Sequence, residues 1–221
     1  MSDTVPHFFT RSPEGFGGKI SFILTDIVSE LRRRDAIKEE GLFRVNGNNQ
    51  HVNIISGGMD KGRFKDFSSY DNHTVACTLK KHFRDTVDFD PLFPNFIYDT
   101  LEPLFKDGKC DSGAETDKFT PIFNGLLKKL TRPRFFTVVF LFKYLREVAD
   151  SSDINKMDPK NISICMSPNL FESDKTKEYI YINSVQNKII QRIVEFGHKL
   201  FDDIEVPEEM LIVDSDIPKL L

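Results

Sequence analysis

The apolar residues of this chain recur every three to four positions in segment after segment, and that spacing confines it to packed helices. Phe119, Ile122, Phe123, Leu126, Leu127 and Leu130 form one stripe, and Val138, Leu141, Phe142, Leu145, Val148 and Ala149 form another. Residues three and four apart share one face of an α-helix, so each stripe must be buried against a neighbour. A third stripe runs from Ile20 through Ile23, Leu24 and Ile27 to Leu31, and a last through Ile182, Val185, Ile189, Ile193, Phe196 and Leu200. The run Phe135-Phe136-Thr137-Val138-Val139-Phe140 is rich in strand formers. Helical spacing continues well past it, so a helix is expected there too.

Shorter helices fill the gaps. Asp71 or Asn72 caps one whose buried stripe is Ala76, Leu79 and Phe83, and this leaves Lys80 and Arg84 one turn apart on another face. A weak helix from Asn49 is expected to be spoiled by Gly57 and Gly58. Pro91, Pro94 and Pro103 punctuate a helix carrying Phe96, Ile97, Leu101 and Leu104. Asp158 and Pro159 open a short one with Ile162, Cys165 and Met166 that should stop before Pro168. Between Lys38 and Gln50 periodicity is lost, and Gly41 and Gly47 bracket a short loop, Leu42-Phe43-Arg44-Val45-Asn46. A polar loop spans Asp107 to Ala114. The reading is a single all-α domain: residues 1–15 form an extended lead-in draped on it, 16–201 the domain itself, and 202–221 an acidic C-terminal tail.

A chain of 221 residues suits one large domain, and 21 Phe without a single Trp point to a thick apolar core. The net charge of -4 argues against a grip on nucleic acid, which needs a basic surface to neutralise phosphate. Cys77, Cys110 and Cys165 are scattered and form no C-x-x-C pair, as expected of reduced thiols in a cytoplasmic protein. No secretory pattern and no transmembrane stretch is visible.

Catalytic signatures are missing. There is no serine or cysteine hydrolase motif, no Walker loop and no H-E-x-x-H. His7, His51, His73, His82 and His198 do not share metal-ligand spacing, so no metal is expected. What remains is Arg44 in an apolar, glycine-bracketed loop and a separate helix bearing Lys80 and Arg84. Taken singly, each reads as an ordinary surface cation.

Together these residues resemble the Rho GTPase-activating protein (RhoGAP) domain family. Glu40-Gly41-Leu42-Phe43-Arg44-Val45-Asn46-Gly47 is similar to its E-G-[IL]-[FY]-R-x-S-G finger loop. Asp71 to Asp85, with His73, Val75-Ala76, Leu79-Lys80 and Phe83-Arg84, resembles its D-x-H-x-V-A-x-x-L-K-x-[FY]-[FL]-R-[ED] helix. Asn155-Lys156-Met157, Asn161 and Ser167-Pro168-Asn169-Leu170 resemble N-K-M-x-x-x-N and G-P-N-L. The blocks occur in family order, and the likeness covers about residues 16–201.

The resemblance implies a bundle of about nine helices. It also implies a partner, a GTP-bound Rho-family small GTPase of the Rho, Rac or Cdc42 type, which carries the GTP and Mg while this chain needs no cofactor. Arg44 would be the finger that enters the GTPase's active site, so the chain would be an activator and not itself an enzyme. Gly41 and Gly47 would give the loop its tight path and Phe43 would anchor it. Lys80 and Arg84 would hold the finger loop and meet the GTPase, and Pro168 and Asn169 would shape the docking surface, with Asn169 equally readable as a helix stop. Any membrane recruitment would come through the GTPase or through regions outside this chain.

There are departures. Asn46 replaces the usual serine, and two extra residues lie between Arg84 and Pro91. Arg134 stands where the family has a GTPase-contacting Asn, and is expected either to make a new contact or to weaken the usual one. Two other readings stay open: a GTPase-binding or scaffold module of little catalytic effect, and an adaptor for anionic lipid or phosphopeptide, which the net charge disfavours.

Overall fold

The structure, a computed structural model, describes residues 7–106, 116–172 and 179–220. Helix α1 (Phe22–Arg33) starts where the hydroxyl of Ser21 accepts from the N–H of Ile23 at 3.2 Å. It ends on Arg32 and Arg33, whose charge suits the negative end of the helix dipole. Ile23, Leu24, Ile27 and Leu31 are fully buried, as their spacing requires. Helix α2 (Asn49–Met59) does not break at Gly57 and Gly58, against expectation, but runs through both. The reason is local packing: the Phe64 ring lies against Gly58, where a Cβ would come within 2.5 Å of it. Helix α3 (Asn72–Arg84) is capped by Asp71, whose carboxylate accepts from the N–H of Thr74 at 2.7 Å.

Helices α4 (Asn95–Phe105) and α5 (Thr116–Leu127) precede the long α6 (Arg132–Asp150). The Phe135–Phe140 run lies inside α6, so helical spacing outweighs strand propensity there. Val138, Val139, Leu141, Phe142, Tyr144 and Leu145 are all fully buried. Burial of consecutive residues means that α6 is covered on nearly every side. It packs against α7 (Ser152–Asn155), α8 (Pro159–Met166), α9 (Tyr179–Glu195) and α10 (Gly197–Phe201). After α8 the chain tightens into a 3-10 turn, Ser167–Asn169, so the expected stop before Pro168 is present.

Among the described residues ten α-helices, two of them only four and five residues long, agree with the expected all-α bundle of about nine. No strand occurs among the described residues; Phe93 and Phe171 form one isolated bridge. The core is aromatic, as the composition implied: the ring of Phe93 lies 5.1–6.3 Å from those of Phe123, Phe142 and Phe171. The loop expected at Asp107 to Ala114, with Cys110, lies outside the described residues.

The two end segments meet the domain and each other. Phe8 and Phe9 are buried in the core, as are Met210 and Ile212. The N–H of Ile20 donates to the carbonyl of Met210 at 2.9 Å, and Lys19 pairs with Asp216 at 2.7 Å. Helix α3 sits at a junction of the bundle, packing on α1, on α2 and on the 167–169 turn.

Candidate functional site

The glycine-bracketed loop leaves the α1 end of the bundle at Gly41. Its N–H donates to the carbonyl of Asn155 at 2.7 Å, and its own carbonyl accepts from the N–H groups of Arg44 and Val45 at 2.8 and 2.9 Å. Gly41 has φ of 73°, where a side chain is strained. Phe43 has φ of 70° despite its side chain, which costs about 1–2 kcal/mol. Two contacts hold it there. Its fully buried ring packs edge-on against Tyr144 at 6.3 Å, and its carbonyl accepts from the ammonium of Lys80 on α3 at 2.5 Å.

The far side of the loop is fixed on the same helix. A Cβ on Gly47 would lie 2.3 Å from the Cα of Thr74, so glycine is required for α3 to approach this closely. The N–H of Gly47 donates to the Cys77 sulfur at 3.3 Å, and the Cys77 thiol in turn meets the Val45 carbonyl at 3.8 Å. The N–H of Asn48 donates to the Thr74 hydroxyl at 3.0 Å while its side chain caps α2.

Between these two anchors stands Arg44, exposed, its side chain without a hydrogen-bond or ion-pair partner among the described residues. Its guanidinium folds back over Gly41, where an added Cβ would lie 3.4 Å from Nη2. Arg44 and Lys80 also lie near the thiol of Cys165 on α8. Burial, the larger influence, pushes that thiol's pKa up, and the two cations pull it down. Arg84 extends the same side of α3 by one turn; it too is exposed and unpaired among the described residues. The structure therefore brings Arg44 and Lys80 together, with Arg84 and the turn bearing exposed Pro168 beside them on α3.

Two expected contact residues sit otherwise. Asn169 is nearly buried, and its amide donates to the α8 carbonyls of Cys165 and Met166 at 2.9 and 3.4 Å, so it acts first as a helix stop. Arg134 departs further from expectation. Its side chain is only 7% exposed and turned inward, pairing with Glu14 at 3.0 Å and Asp90 at 2.5 Å and donating to the carbonyl of Pro91. Of the two outcomes expected of Arg134, a new contact or a weakened one, this inward placement favours the second, because the guanidinium is engaged by two carboxylates and a carbonyl.

Sequence reasoning assigned no role to Asn155, which is fully buried beneath the loop. Its amide donates to the carbonyls of Ile37 and Val148 at 2.6 and 2.7 Å, and its side-chain oxygen accepts from the N–H of Met157. With its main-chain carbonyl holding Gly41, it ties the loop to the end of α6. The one signal for it in the sequence is its place in Asn155-Lys156-Met157. Cys77 likewise reads there as a bland thiol.

Among the described residues no group of three metal-ligating side chains comes together, and no helix is long and apolar enough to cross a membrane. A family model, the RhoGAP domain, matches residues 21–175. The chain is 30% identical over 193 residues to the Rho GTPase-activating protein gacY of Dictyostelium discoideum, covering 84% of this chain and 25% of that protein. It is 29% identical over 171 residues to SLIT-ROBO Rho GTPase-activating protein 1 of Homo sapiens, covering 76% of this chain and 15% of that one. The chain thus spans a quarter or less of the length of these curated relatives. Among solved structures, human Rho GTPase activating protein 15 superposes with a TM-score of 0.73 at 19% identity, over 82% of this chain and 84% of that one, a likeness of fold.

Proposed function

The chain belongs to the RhoGAP domain family, and from that footing we propose that it binds a GTP-loaded Rho-family small GTPase and speeds GTP hydrolysis by inserting Arg44. In that reaction water attacks the γ-phosphorus, the bond to the β–γ bridging oxygen breaks, and negative charge spreads over the γ-oxygens and the leaving oxygen. A GTPase without an arginine of its own lacks positive charge at that point. A planar, forked guanidinium reaches two oxygens at once, which an ammonium cannot. Such a finger contributes roughly 10³ to 10⁵ in rate, or about 4 to 7 kcal/mol off the barrier.

The observation that carries this reading is an unpaired, exposed arginine between two fixed loop anchors. Arg44 has no ion pair among the described residues to break before it moves. Phe43 and Gly47 are already held by the core and by α3, so little of the loop remains to be ordered on docking. Lys80 and Arg84 give the docking face a positive row that would speed encounter with an acidic partner surface. The chain would supply this one catalytic group in trans and need no cofactor, since the GTPase brings GTP and Mg. It would act in the cytoplasm, or at a membrane to which its GTPase or neighbouring regions carry it.

The alternative, a GTPase-binding module of little catalytic effect, draws on one observation, the inward-turned Arg134, which leaves the family's Asn contact unfilled. Single-turnover hydrolysis with Rho-, Rac- and Cdc42-type GTPases separates the two. Acceleration of at least one supports the activator; binding to the GTP state without acceleration supports the module.

A further inference from the structure

Two side chains of α3, three positions apart, reach the finger loop on either side of Arg44. Residues at that spacing share a helix face, so Cys77 and Lys80 stand side by side within Asn72–Arg84. Lys80 donates to the carbonyl of Phe43 at 2.5 Å, and the Cys77 thiol meets the carbonyl of Val45 at 3.8 Å. These carbonyls belong to the residues immediately before and after Arg44. The Cys77 sulfur also accepts from the N–H of Gly47 at 3.3 Å. Among the described residues no other hydrogen bond reaches that N–H or the Val45 carbonyl.

We propose that Cys77 is a positioning residue for GTP hydrolysis, which together with Lys80 clamps the backbone on both sides of Arg44 and sets its aim. The inference rests on the activator reading above and adds to it a residue that the family pattern leaves open, the first x after Val75-Ala76. A half-buried thiol in a helix ordinarily does no more than fill space. Here both of its polar contacts go to the finger loop and none to its own helix. A thiol is a weak donor and a weak acceptor at once, so one atom can close on an N–H and a carbonyl two residues apart. The close approach that this needs is built in, because Gly47 has no Cβ to hold the loop off Thr74. Lys80 alone would fix the chain entering Arg44 and leave the chain leaving it free to turn. With both carbonyls held, the guanidinium projects from a backbone that is fixed on each side. Cys77 itself touches neither GTP nor the GTPase in this scheme.

The test is single-turnover hydrolysis over a range of concentrations of the whole chain, with the GTPase it activates, alongside urea unfolding. Cys77→Ala lowers the saturated rate by about 3- to 10-fold, the scale of one or two ordinary hydrogen bonds. Half-saturation moves by less than about twofold, since the loss lies in aim and not in docking. Cys77→Ser, which keeps a donor and an acceptor, recovers most of the rate. In a Lys80→Met background the loss on adding Cys77→Ala shrinks to about twofold or less, because the segment is already released. A Cys77→Ala protein with the wild-type saturated rate overturns the proposal, as does a rate loss fully matched by a fall in urea midpoint. A Cys77→Ser protein as slow as Cys77→Ala overturns it too. Losses that simply multiply in the double variant overturn the joint clamp. A wild type that accelerates no GTPase instead removes the activator reading, and this inference with it.

Discussion

Lys80 reaches from α3 to the carbonyl of Phe43, the residue just before Arg44, and donates to it at 2.5 Å. Phe43 sits in the left-handed region, and a free peptide there would relax to ordinary backbone. The ammonium therefore holds a strained hinge at the base of the finger. A hydrogen bond from a charged donor contributes about 1.5–3 kcal/mol. If most of that is used to keep Arg44 aimed, Lys80→Met lowers the saturated hydrolysis rate by roughly 10- to 100-fold. Half-saturation should move less than the rate, which single-turnover titration reads directly.

Gly47 lies where α3 and the loop touch backbone to backbone. A methyl group 2.3 Å from the Cα of Thr74 has no flexible side chain to displace, so one element must move. Gly47→Ala is expected to cost about 1–3 kcal/mol or more in denaturant midpoint. Gly57→Ala makes a clean control, since nothing lies within 4 Å of its added Cβ; it should be neutral or stabilising by up to about 1 kcal/mol.

The legible and illegible parts of this site differ in physical range. The stripe of α6 and the two glycines around Arg44 are readable because periodicity and backbone freedom are local properties. Asp71 is readable as a cap for the same reason. The inward turn of Arg134 is not, because its partners Asp90 and Glu14 lie 44 and 120 positions away in sequence. Phe43 in the left-handed region is equally hidden: a bulky side chain gives no hint of it, and only Lys80 and the Tyr144 ring make it tenable. Burial of Phe8 and Phe9 escapes periodicity because two residues carry no period.

Breaking the Arg134 cluster strands two carboxylates, one of them 29% and the other 36% exposed. Partial solvation softens the penalty, so Arg134→Ala is expected to destabilise by about 2–3 kcal/mol, somewhat below a fully buried pair. Urea unfolding at pH 7 measures it. A loss under about 0.5 kcal/mol, the scale of an ordinary surface substitution, would mean that the cluster contributes no more than an exposed ion pair.

His82 on α3 donates its ring N–H to the carbonyl of Phe9 at 2.7 Å inside the core. Burial lowers its pKa from 6.5 to about 4, against the raising influences of Phe9 and Asp85. Between those values the unfolded chain binds the proton and the folded chain does not, so this residue's contribution to stability falls as pH drops from about 6.5 to about 4. Asp26 works in the opposite sense. Burial raises its pKa from 3.8 to about 6 against the pull of Arg63, so its contribution is lost as pH rises through that range. The two oppose each other in one window, and the wild-type profile there hides both. His82→Gln should be less stable than wild type at pH 7, with the deficit shrinking by up to about 3 kcal/mol on acidification to pH 4. A deficit constant with pH would contradict a buried neutral imidazole.

The role of Arg44 is tested most directly by single-turnover GTP hydrolysis by the preferred GTPase at saturating activator, comparing wild type with Arg44→Ala and Arg44→Lys. Both variants are expected to lose roughly 10³-fold or more of the acceleration, while Arg44→Ala still binds the GTP-loaded GTPase. Retention of most of the acceleration by Arg44→Ala would contradict the finger mechanism and move the catalytic group elsewhere.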